Sequence, residues 1–152
     1  MNRVDLYLDD FKVGDRFQGR GYTFTEADII DFALRYDPQP IHIDAVAAKE
    51  GPFGGIIASG FQTFAMVFRL LYQTGWISSS SLGGPGAENL RWLHPVRPGD
   101  TLRAYAEIKD VKPSRSKPDR GVLTYEIGAI NQRGELVMTA TLMSILKRSR
   151  ES

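Results

Sequence analysis

The hydrophobic positions of this chain follow a helical period in its first half and an alternating period in its second half. Within residues 23–37 the apolar side chains recur at the spacing of one helix face, at Ile29, Ile30, Ala33 and Leu34. Thr25 stands where it can cap this helix, with Asp28 three positions further on. A second, short helix is predicted over residues 44–49, with Asp44 as its N-cap.

The segment of residues 59–75 is apolar around nearly the whole circumference of a helix. Its large apolar side chains are Phe61, Phe64, Met66, Val67, Phe68, Leu70, Leu71 and Tyr72. A helix that is hydrophobic on all sides is buried in a soluble protein. At 1.5 Å per residue this helix is about 25 Å long, so it needs a large apolar surface to lie against. We therefore expect a central buried helix over residues 59–75.

Four segments that follow have the alternation or the β-rich composition of strands: residues 88–94, 102–109, 122–130 and 136–146. The Asn-Gln-Arg-Gly sequence at residues 131–134 is a tight-turn signal, which predicts that the last two strands form a hairpin. An early strand near residues 15–22 is expected to join the same sheet. At least five antiparallel strands around one helix make an α+β architecture with the helices on one face.

Composition narrows the function classes. The chain has 152 residues, of which 42% are apolar, and 19 Lys and Arg oppose 18 Asp and Glu. These numbers predict one domain over residues 1–152 with no general attraction for nucleic acid. The absence of cysteine and the presence of only two histidines leave little with which to build a metal site. Residues 1–5 are charged, and no apolar run reaches the ~18 residues of a membrane span, so we expect a cytoplasmic protein without a membrane partner.

Asp37 and His42 lie five residues apart on a segment that Pro38 and Pro40 stiffen. The two prolines end the preceding helix and favour extended backbone. A carboxylate and an imidazole on a rigid turn are the groups needed to activate a water. The same pair is also compatible with a structural role, in which Asp37 caps a turn and His42 is a partly buried histidine whose ring nitrogens have hydrogen-bond partners.

Gly60 opens the long apolar helix. Unpaired N–H groups and the positive end of the helix dipole would stabilise an oxyanion at this point. A glycine allows a ligand carbonyl to approach closely, but glycine is also the usual residue where two elements pack tightly. Both interpretations of Gly60 are open.

Several of these positions, taken in one register, resemble the MaoC-like dehydratases, the hotdog-fold relatives of (R)-specific enoyl-CoA hydratases. The family pattern F-A-x-x-x-x-D-x-N-P-x-H is matched by Phe32, Ala33, Asp37, Pro40 and His42. The following pattern F-G-x-x-I-A-x-G is matched by Phe53, Gly54, Ile57, Ala58 and Gly60. Residues 91–102 also look like the strand and turn that follow the family's central helix. The chain departs from the pattern at Tyr36, Gln39 and Ser59, where the family commonly has Gly, Asn and His.

The resemblance implies a single hotdog domain, in which the antiparallel sheet wraps around the central helix. It also implies hydration of a trans-2-enoyl-CoA, or dehydration of a 3-hydroxyacyl-CoA, with the CoA thioester as substrate and no further cofactor. Asp37 and His42 would hold one water between them as the acid–base pair, and Gly60 would donate to the oxyanion. Ser59 and Gln39 are expected to contact the substrate as well. Family members of this length resemble homodimers whose sheets join edge to edge, so a homodimer with sites between the subunits is expected.

Two other functions fit the same fold: a hotdog acyl-CoA thioesterase and a non-catalytic acyl-thioester-binding subunit. Hotdog thioesterases usually carry their acid in or near the central helix, and residues 59–75 contain no acid. The segment of residues 109–120 has five basic and two acidic side chains, and such a loop could steer the CoA phosphates. A solvated hairpin loop is the favoured interpretation of that segment, and a structural role is favoured for His94.

Overall fold

Five antiparallel strands form one sheet in the computed structural model, which describes residues 4–152. The first three residues of the charged N-terminal segment lie outside the described residues. The strands are β1 (Arg16–Thr23), β2 (Gly86–Trp92), β3 (Thr101–Pro113), β4 (Arg120–Ile130) and β5 (Leu136–Lys147). Their order across the sheet is β1-β3-β4-β5-β2, which leaves β1 and β2 at the two edges. The five predicted strands and the antiparallel α+β architecture are confirmed.

The turn between β4 and β5 forms where the sequence predicts it. Gly134 has a φ of +79°, in the left-handed region that glycine adopts without strain. The side-chain oxygen of Asn131 accepts hydrogen bonds from the backbone N–H groups of Arg133 and Glu135, at 2.9 and 3.0 Å. These local bonds hold the two long central strands in register.

Within the described residues the chain also forms four α-helices and one 3-10 turn (Leu8–Asp10). The α-helices are α1 (Glu26–Tyr36), α2 (Pro40–Ile43), α3 (Ala45–Glu50) and α4 (Gly60–Tyr72). Both predicted caps are confirmed: Thr25 accepts from the N–H of Asp28, and Asp44 accepts from the first turn of α3. The extended backbone predicted after α1 is limited to Gln39 and its neighbours, because Pro40 begins the short helix α2.

The central helix α4 is shorter and less enclosed than the sequence predicts. Val67, Leu70 and Leu71 pack into the core against the sheet. Phe61 and Phe68 face outward, and 59% and 41% of their surfaces are exposed. The expectation of burial on all sides is therefore wrong for the single chain, because one sheet covers only one face of the helix. None of the helices within residues 4–152 has the length and apolar character needed to cross a membrane.

Candidate active site

The end of α1 and the short helix α2 bring Asp37 and His42 together. Asp37 is the residue at which α1 ends, and its N–H donates to the carbonyl of Ala33 at 2.9 Å. Pro40 then starts α2, whose third residue is His42. The chain reverses between them, and Nε2 of His42 lies 3.2 Å from Oδ2 of Asp37. The structure thus pairs the two side chains that the sequence singles out.

The backbone fixes the orientation of the His42 ring. Nδ1 lies 2.6 Å from the carbonyl oxygen of Ile57, and the ring is buried. A carbonyl oxygen only accepts hydrogen bonds, so Nδ1 carries a proton and donates it there. Nε2 is left to face Asp37. A second bond, from the N–H of Ile57 to the carbonyl of Ile41, holds the two segments at this spacing.

The Asp37 carboxylate accepts hydrogen bonds on both oxygens. Nε2 of Gln39 donates to Oδ1 at 2.7 Å, and the hydroxyl of Ser59 donates to Oδ2 at 2.7 Å. Burial raises the pKa of Asp37, but the bonds from Gln39 and Ser59 and the nearby His42 outweigh it, and the pKa lies below its usual value. Asp37 is therefore ionised at neutral pH.

Ser59 connects this carboxylate to the start of α4. It is the N-cap of α4, and its hydroxyl oxygen accepts from the N–H of Phe61 at 3.3 Å while donating to Asp37. Ser59 is fully buried, and Gln39 is exposed. Both side chains hold Asp37, and neither is among the residues that line the cavity beside it. Their predicted contact with substrate stays a prediction. The sequence does indicate that the Gln39 amide could orient the pair, as its bond to Asp37 now does, whereas the contact of Ser59 with Asp37 was missed.

Gly60 combines the two interpretations that the sequence leaves open. Its N–H makes no hydrogen bond to any residue in the range 4–152, so it is an available donor. The indole ring of Trp92 packs on Gly60 so closely that a Cβ would collide with it. The Trp92 Nε1–H donates to the carbonyl of Gly60 at 2.9 Å. Close packing and an unpaired donor therefore coexist at the start of α4.

A cavity of about 320 Å³ opens beside His42 and Gly60. Its remaining walls are the second histidine, one threonine and seven apolar side chains: His94, Thr63, Phe53, Ile57, Ala58, Trp92, Leu93, Pro95 and Val96. Nδ1 of His94 bonds the carbonyl of Leu136 at 3.0 Å, consistent with the structural role predicted for it. Trp92 was not predicted as a site residue, although a large aromatic side chain within the 91–102 motif was a signal. The cavity can hold an apolar group with its reacting end at His42.

The basic segment of residues 109–120 is remote from this cavity in the same chain. Trp92 pairs with Met138 at the start of β5, whereas Arg120 pairs with Lys147 at its end. Nine residues of extended strand separate those positions, which is about 30 Å. Residues 109–113 belong to β3 and Arg120 begins β4, so the solvated hairpin loop is limited to residues 114–119, whose side chains are mostly exposed. The suggestion that this loop steers the CoA phosphates is therefore wrong for the cavity of the same chain.

No group of three or more His, Cys, Asp or Glu side chains in the described part of the chain has the arrangement needed to hold a metal ion. The chemistry available at the site is that of the Asp37–His42 pair, the Gly60 N–H and the apolar walls. Together these groups can move protons at an apolar ligand and stabilise a negative charge on its carbonyl.

Known proteins share both the sequence and the fold. Residues 10–129 match the protein family described as MaoC like domain. The chain is 34% identical over 143 residues to the uncharacterized protein YdeM of Bacillus subtilis (strain 168), covering 94% of this chain and all of the relative. It is 30% identical over 117 residues to a 3-hydroxybutyryl-CoA dehydratase of Methylorubrum extorquens, covering 74% of this chain and 69% of that protein.

Among solved structures, the MaoC-like dehydratase from Rhodospirillum rubrum superposes with a TM-score of 0.87 at 40% sequence identity. The match covers 95% of this chain and 98% of the other. The hotdog fold expected from the motifs around Asp37 and Gly60 is thereby confirmed.

Proposed function

Because this chain belongs to the MaoC-like dehydratase family, we propose that it is a hydro-lyase that acts on a trans-2-enoyl-CoA or, in reverse, on a 3-hydroxyacyl-CoA. The observation that carries the proposal is the direct contact between Asp37 and His42, whose ring lines a largely apolar cavity. Two relatives of this chain are named as dehydratases, which supports this reaction class for the pair.

The acid–base step follows from the geometry of the pair. Nδ1 of His42 holds its proton against Ile57, so the 3.2 Å approach of Nε2 to an ionised carboxylate is favourable when one proton lies between them. In the hydration direction the pair takes a proton from the attacking water and returns one to C2, while the water oxygen bonds to C3. The pair ends in its starting protonation state, as a coupled acid and base must.

We place the attacking water differently from the sequence expectation, which puts it between the two side chains. A separation of 3.2 Å between Nε2 and Oδ2 leaves no space for a water between the two groups. A water activated by both therefore lies beside the pair, on the cavity side where His42 is part of the wall. The substrate's C3 would then approach from the cavity.

The Gly60 N–H would receive the thioester oxygen. Attack of the water at C3 passes negative charge onto that oxygen until C2 takes up its proton, and the unpaired donor at the start of α4 stabilises this charge. Loss of one such donor typically costs about 10² to 10³ in rate. The apolar walls exclude water from the rest of the acyl group.

The test is the loss of enoyl-thioester absorbance after the purified protein is mixed with crotonyl-CoA or a longer trans-2-enoyl-CoA. Asp37→Asn is expected to lose the activity and keep the fold, because the amide cannot act as a base. Asp31→Asn is the matched control, since Asp31 is an exposed carboxylate of α1 whose partner within residues 4–152 is Arg35, at 3.9 Å. Full activity in Asp37→Asn, or equal losses in both variants, would contradict the proposal.

Release of free thiol in the same assay would instead identify a thioesterase. No turnover on any enoyl-CoA, together with tight binding of acyl-CoA, would identify a binding subunit. Neither alternative has support in the described residues, since α4 carries no acid and the acid–base pair is intact.

We also propose that two copies of the chain form a homodimer. Strand β2 pairs with β5 on one side only, and all of its residues but Leu90 are exposed. The exposed Phe61 and Phe68 of α4 add an apolar surface that a second copy would cover. Light scattering coupled to size exclusion is expected to give twice the mass of one chain, and a monomer at micromolar concentration would refute the dimer.

A further inference from the structure

Two segments of the chain contribute most of the cavity wall and run in opposite directions. Residues 53–60 lead into α4, and residues 92–96 start at the end of β2, just after a bulge in that strand. At one end the segments are joined by Trp92, whose Nε1–H donates to the carbonyl of Gly60 at 2.9 Å. The rest of each segment therefore runs away from the start of α4.

Arg97 and Gly55 lie toward the other end of these segments. The N–H of Ala58 donates to the carbonyl of Val96 at 2.8 Å, which brings Arg97 close to the residues that precede Ala58. Nη1 of Arg97 lies 3.8 Å from the point where a Cβ of Gly55 would stand. Val96 and Phe53 are part of the cavity wall, and 37% of the Phe53 surface is exposed. The guanidinium of Arg97 thus lies at the rim of the cavity.

A turn fixes the backbone of Arg97 without using its guanidinium. The N–H of Arg97 donates to Oδ2 of Asp100 at 2.9 Å, and the N–H of Asp100 donates to the carbonyl of Arg97 at 3.0 Å. The other oxygen of this carboxylate accepts from the side chains of Gln132 and Arg133. The acid closest to Arg97 in the sequence is therefore occupied by other donors. Within residues 4–152 the guanidinium of Arg97 has no hydrogen bond and no ion pair.

Burial without a partner distinguishes Arg97 from the other arginines of the described range. Those that form ion pairs with carboxylates are Arg16, Arg35, Arg120, Arg133, Arg148 and Arg150. Those that form none and are exposed to solvent are Arg20, Arg69, Arg91, Arg103 and Arg115. Arg97 is half-buried. A guanidinium is permanently charged and carries several N–H donors, so a bound anion can satisfy what the protein leaves unpaired.

The second histidine of the cavity wall is not an equivalent site. Nε2 of His94 lies 3.6 Å from Oε2 of Glu135, and Nδ1 bonds the carbonyl of Leu136 at 3.0 Å. A positive charge on this ring is balanced by a carboxylate of the same chain. Arg97 differs from His94 because its charge is available to a ligand.

We propose that Arg97 binds an anionic group of the ligand at the rim of the cavity. The inference rests on the proposed function only in taking an acyl thioester as the ligand. Gly60, which would receive the thioester oxygen, is five residues from Gly55, a span of at most about 18 Å. A carboxylate at the end of a short acyl group, or the phosphate at the end of the pantetheine arm, fits within that span. Both present the anionic oxygens that a guanidinium binds.

The test uses three saturated thioesters, which bind without reacting. Valeryl-CoA has the phosphates and no acyl carboxylate, S-valeryl-pantetheine has neither, and glutaryl-CoA has both on an acyl chain of the same length. Calorimetric titration with each thioester is made on the wild-type protein, on Arg97→Gln and on Arg97→Lys. Arg115→Gln is the matched control, because Arg115 is exposed, has no ion pair and lies in the remote loop between β3 and β4.

Arg97→Gln is expected to weaken binding by about 10- to 100-fold for each thioester that carries the recognised anion, and to leave the affinity for S-valeryl-pantetheine unchanged. Equal losses for valeryl-CoA and glutaryl-CoA would identify the phosphate as that anion. A loss confined to glutaryl-CoA would identify the acyl carboxylate. Arg97→Lys is expected to lose less, because lysine keeps the charge but not the planar pair of donors.

Three results would overturn the proposal. The first is an equal loss for all three thioesters, or no loss for any, since Arg97 would then act through packing alone. The second is an equal loss in Arg115→Gln, which general charge attraction would explain. The third needs no variant and holds even if Arg97→Gln does not fold: equal affinities of the wild-type protein for the three thioesters.

Binding and turnover separate this inference from the proposed function. Anion-dependent binding through Arg97, in a protein that hydrates no enoyl-CoA, would remove the hydro-lyase proposal and support the role of Arg97. Hydration of crotonyl-CoA by a protein whose affinities do not change in Arg97→Gln would support the hydro-lyase and overturn the role of Arg97.

Discussion

Nε2 of His42 lies 3.2 Å from Oδ2 of Asp37, while the opposite side of the same ring bonds the backbone carbonyl of Ile57. The imidazole therefore has one nitrogen committed to structure and one committed to the carboxylate. Because the two side chains share this contact, we expect a change in either one to disable the other, so that the pair acts as one unit in the proposed reaction.

The first prediction concerns that unit. His42→Gln is expected to lower the hydration rate by about 10² to 10⁴, as removal of a general acid or base does. The double variant Asp37→Asn, His42→Gln is expected to be no slower than the more impaired single variant, because either change already disables the pair. Steady-state rates on crotonyl-CoA measure both effects. Multiplicative losses would show instead that the two residues act independently.

The second prediction separates capping from positioning at Ser59. Ser59 and Thr25 both cap helices, α4 and α1 respectively, but only Ser59 also donates to Asp37. Ser59→Ala and Thr25→Ala are each expected to cost about 1 kcal/mol of unfolding free energy. Only Ser59→Ala is expected to lower the rate, by about 10- to 100-fold, since the carboxylate loses its orientation. Urea unfolding and kcat measure the two effects, and equal rates in the two variants would contradict a positioning role.

The third prediction concerns the contact between Gly60 and Trp92. Gly60→Ala places a methyl group against the indole ring, so it is expected to destabilise the protein by about 1 to 3 kcal/mol. In a Trp92→Ala background the same substitution is expected to cost little, because the colliding ring is gone. A double-mutant cycle by urea unfolding is expected to give a coupling free energy above about 0.5 kcal/mol. Additive losses would mean that the ring moves aside freely.

The fourth prediction concerns the pH dependence of stability at Asp100, a buried carboxylate before β3. Burial raises its pKa, but bonds from Gln132, the N–H of Arg97 and Arg133 outweigh this and bring the pKa below its ordinary value of 3.8. The folded state thus binds fewer protons than the unfolded state near that pH. The resulting stabilisation is present above about pH 4 and is lost as the pH falls through the folded pKa.

Asp100→Asn is therefore expected to lower the unfolding free energy by about 1.5 to 3 kcal/mol at pH 7. The difference from the wild type is expected to shrink as the pH falls below about 4, because the unfolded state then binds a proton that the folded carboxylate does not. Urea unfolding at pH 7, 5 and 3.5 measures the difference, with the exposed Asp31→Asn as control, expected within about 0.5 kcal/mol of the wild type. A difference independent of pH would contradict the ionic origin.

Local sequence was sufficient to predict the helices α1, α3 and α4, the caps, the β4–β5 turn and the two residues, Asp37 and His42, that the structure brings into contact. Thr25, Asp44 and Gly134 act within a few residues of themselves, so their conformations depend on local bonds that sequence spacing specifies. The motif around Asp37 and His42 likewise lies on one short segment. Elements of this kind can be predicted without knowledge of the sheet order.

Only the tertiary structure decided what surrounds that pair. Ser59 is 22 residues from Asp37, and Trp92 is 32 residues from Gly60, yet each pair is joined by a hydrogen bond. The outward face of α4 was likewise invisible in its uniformly apolar sequence, because exposure depends on how much of a helix the sheet can cover. Contacts between distant segments depend on strand order and on the bulge in β2, and no periodicity within either segment encodes them.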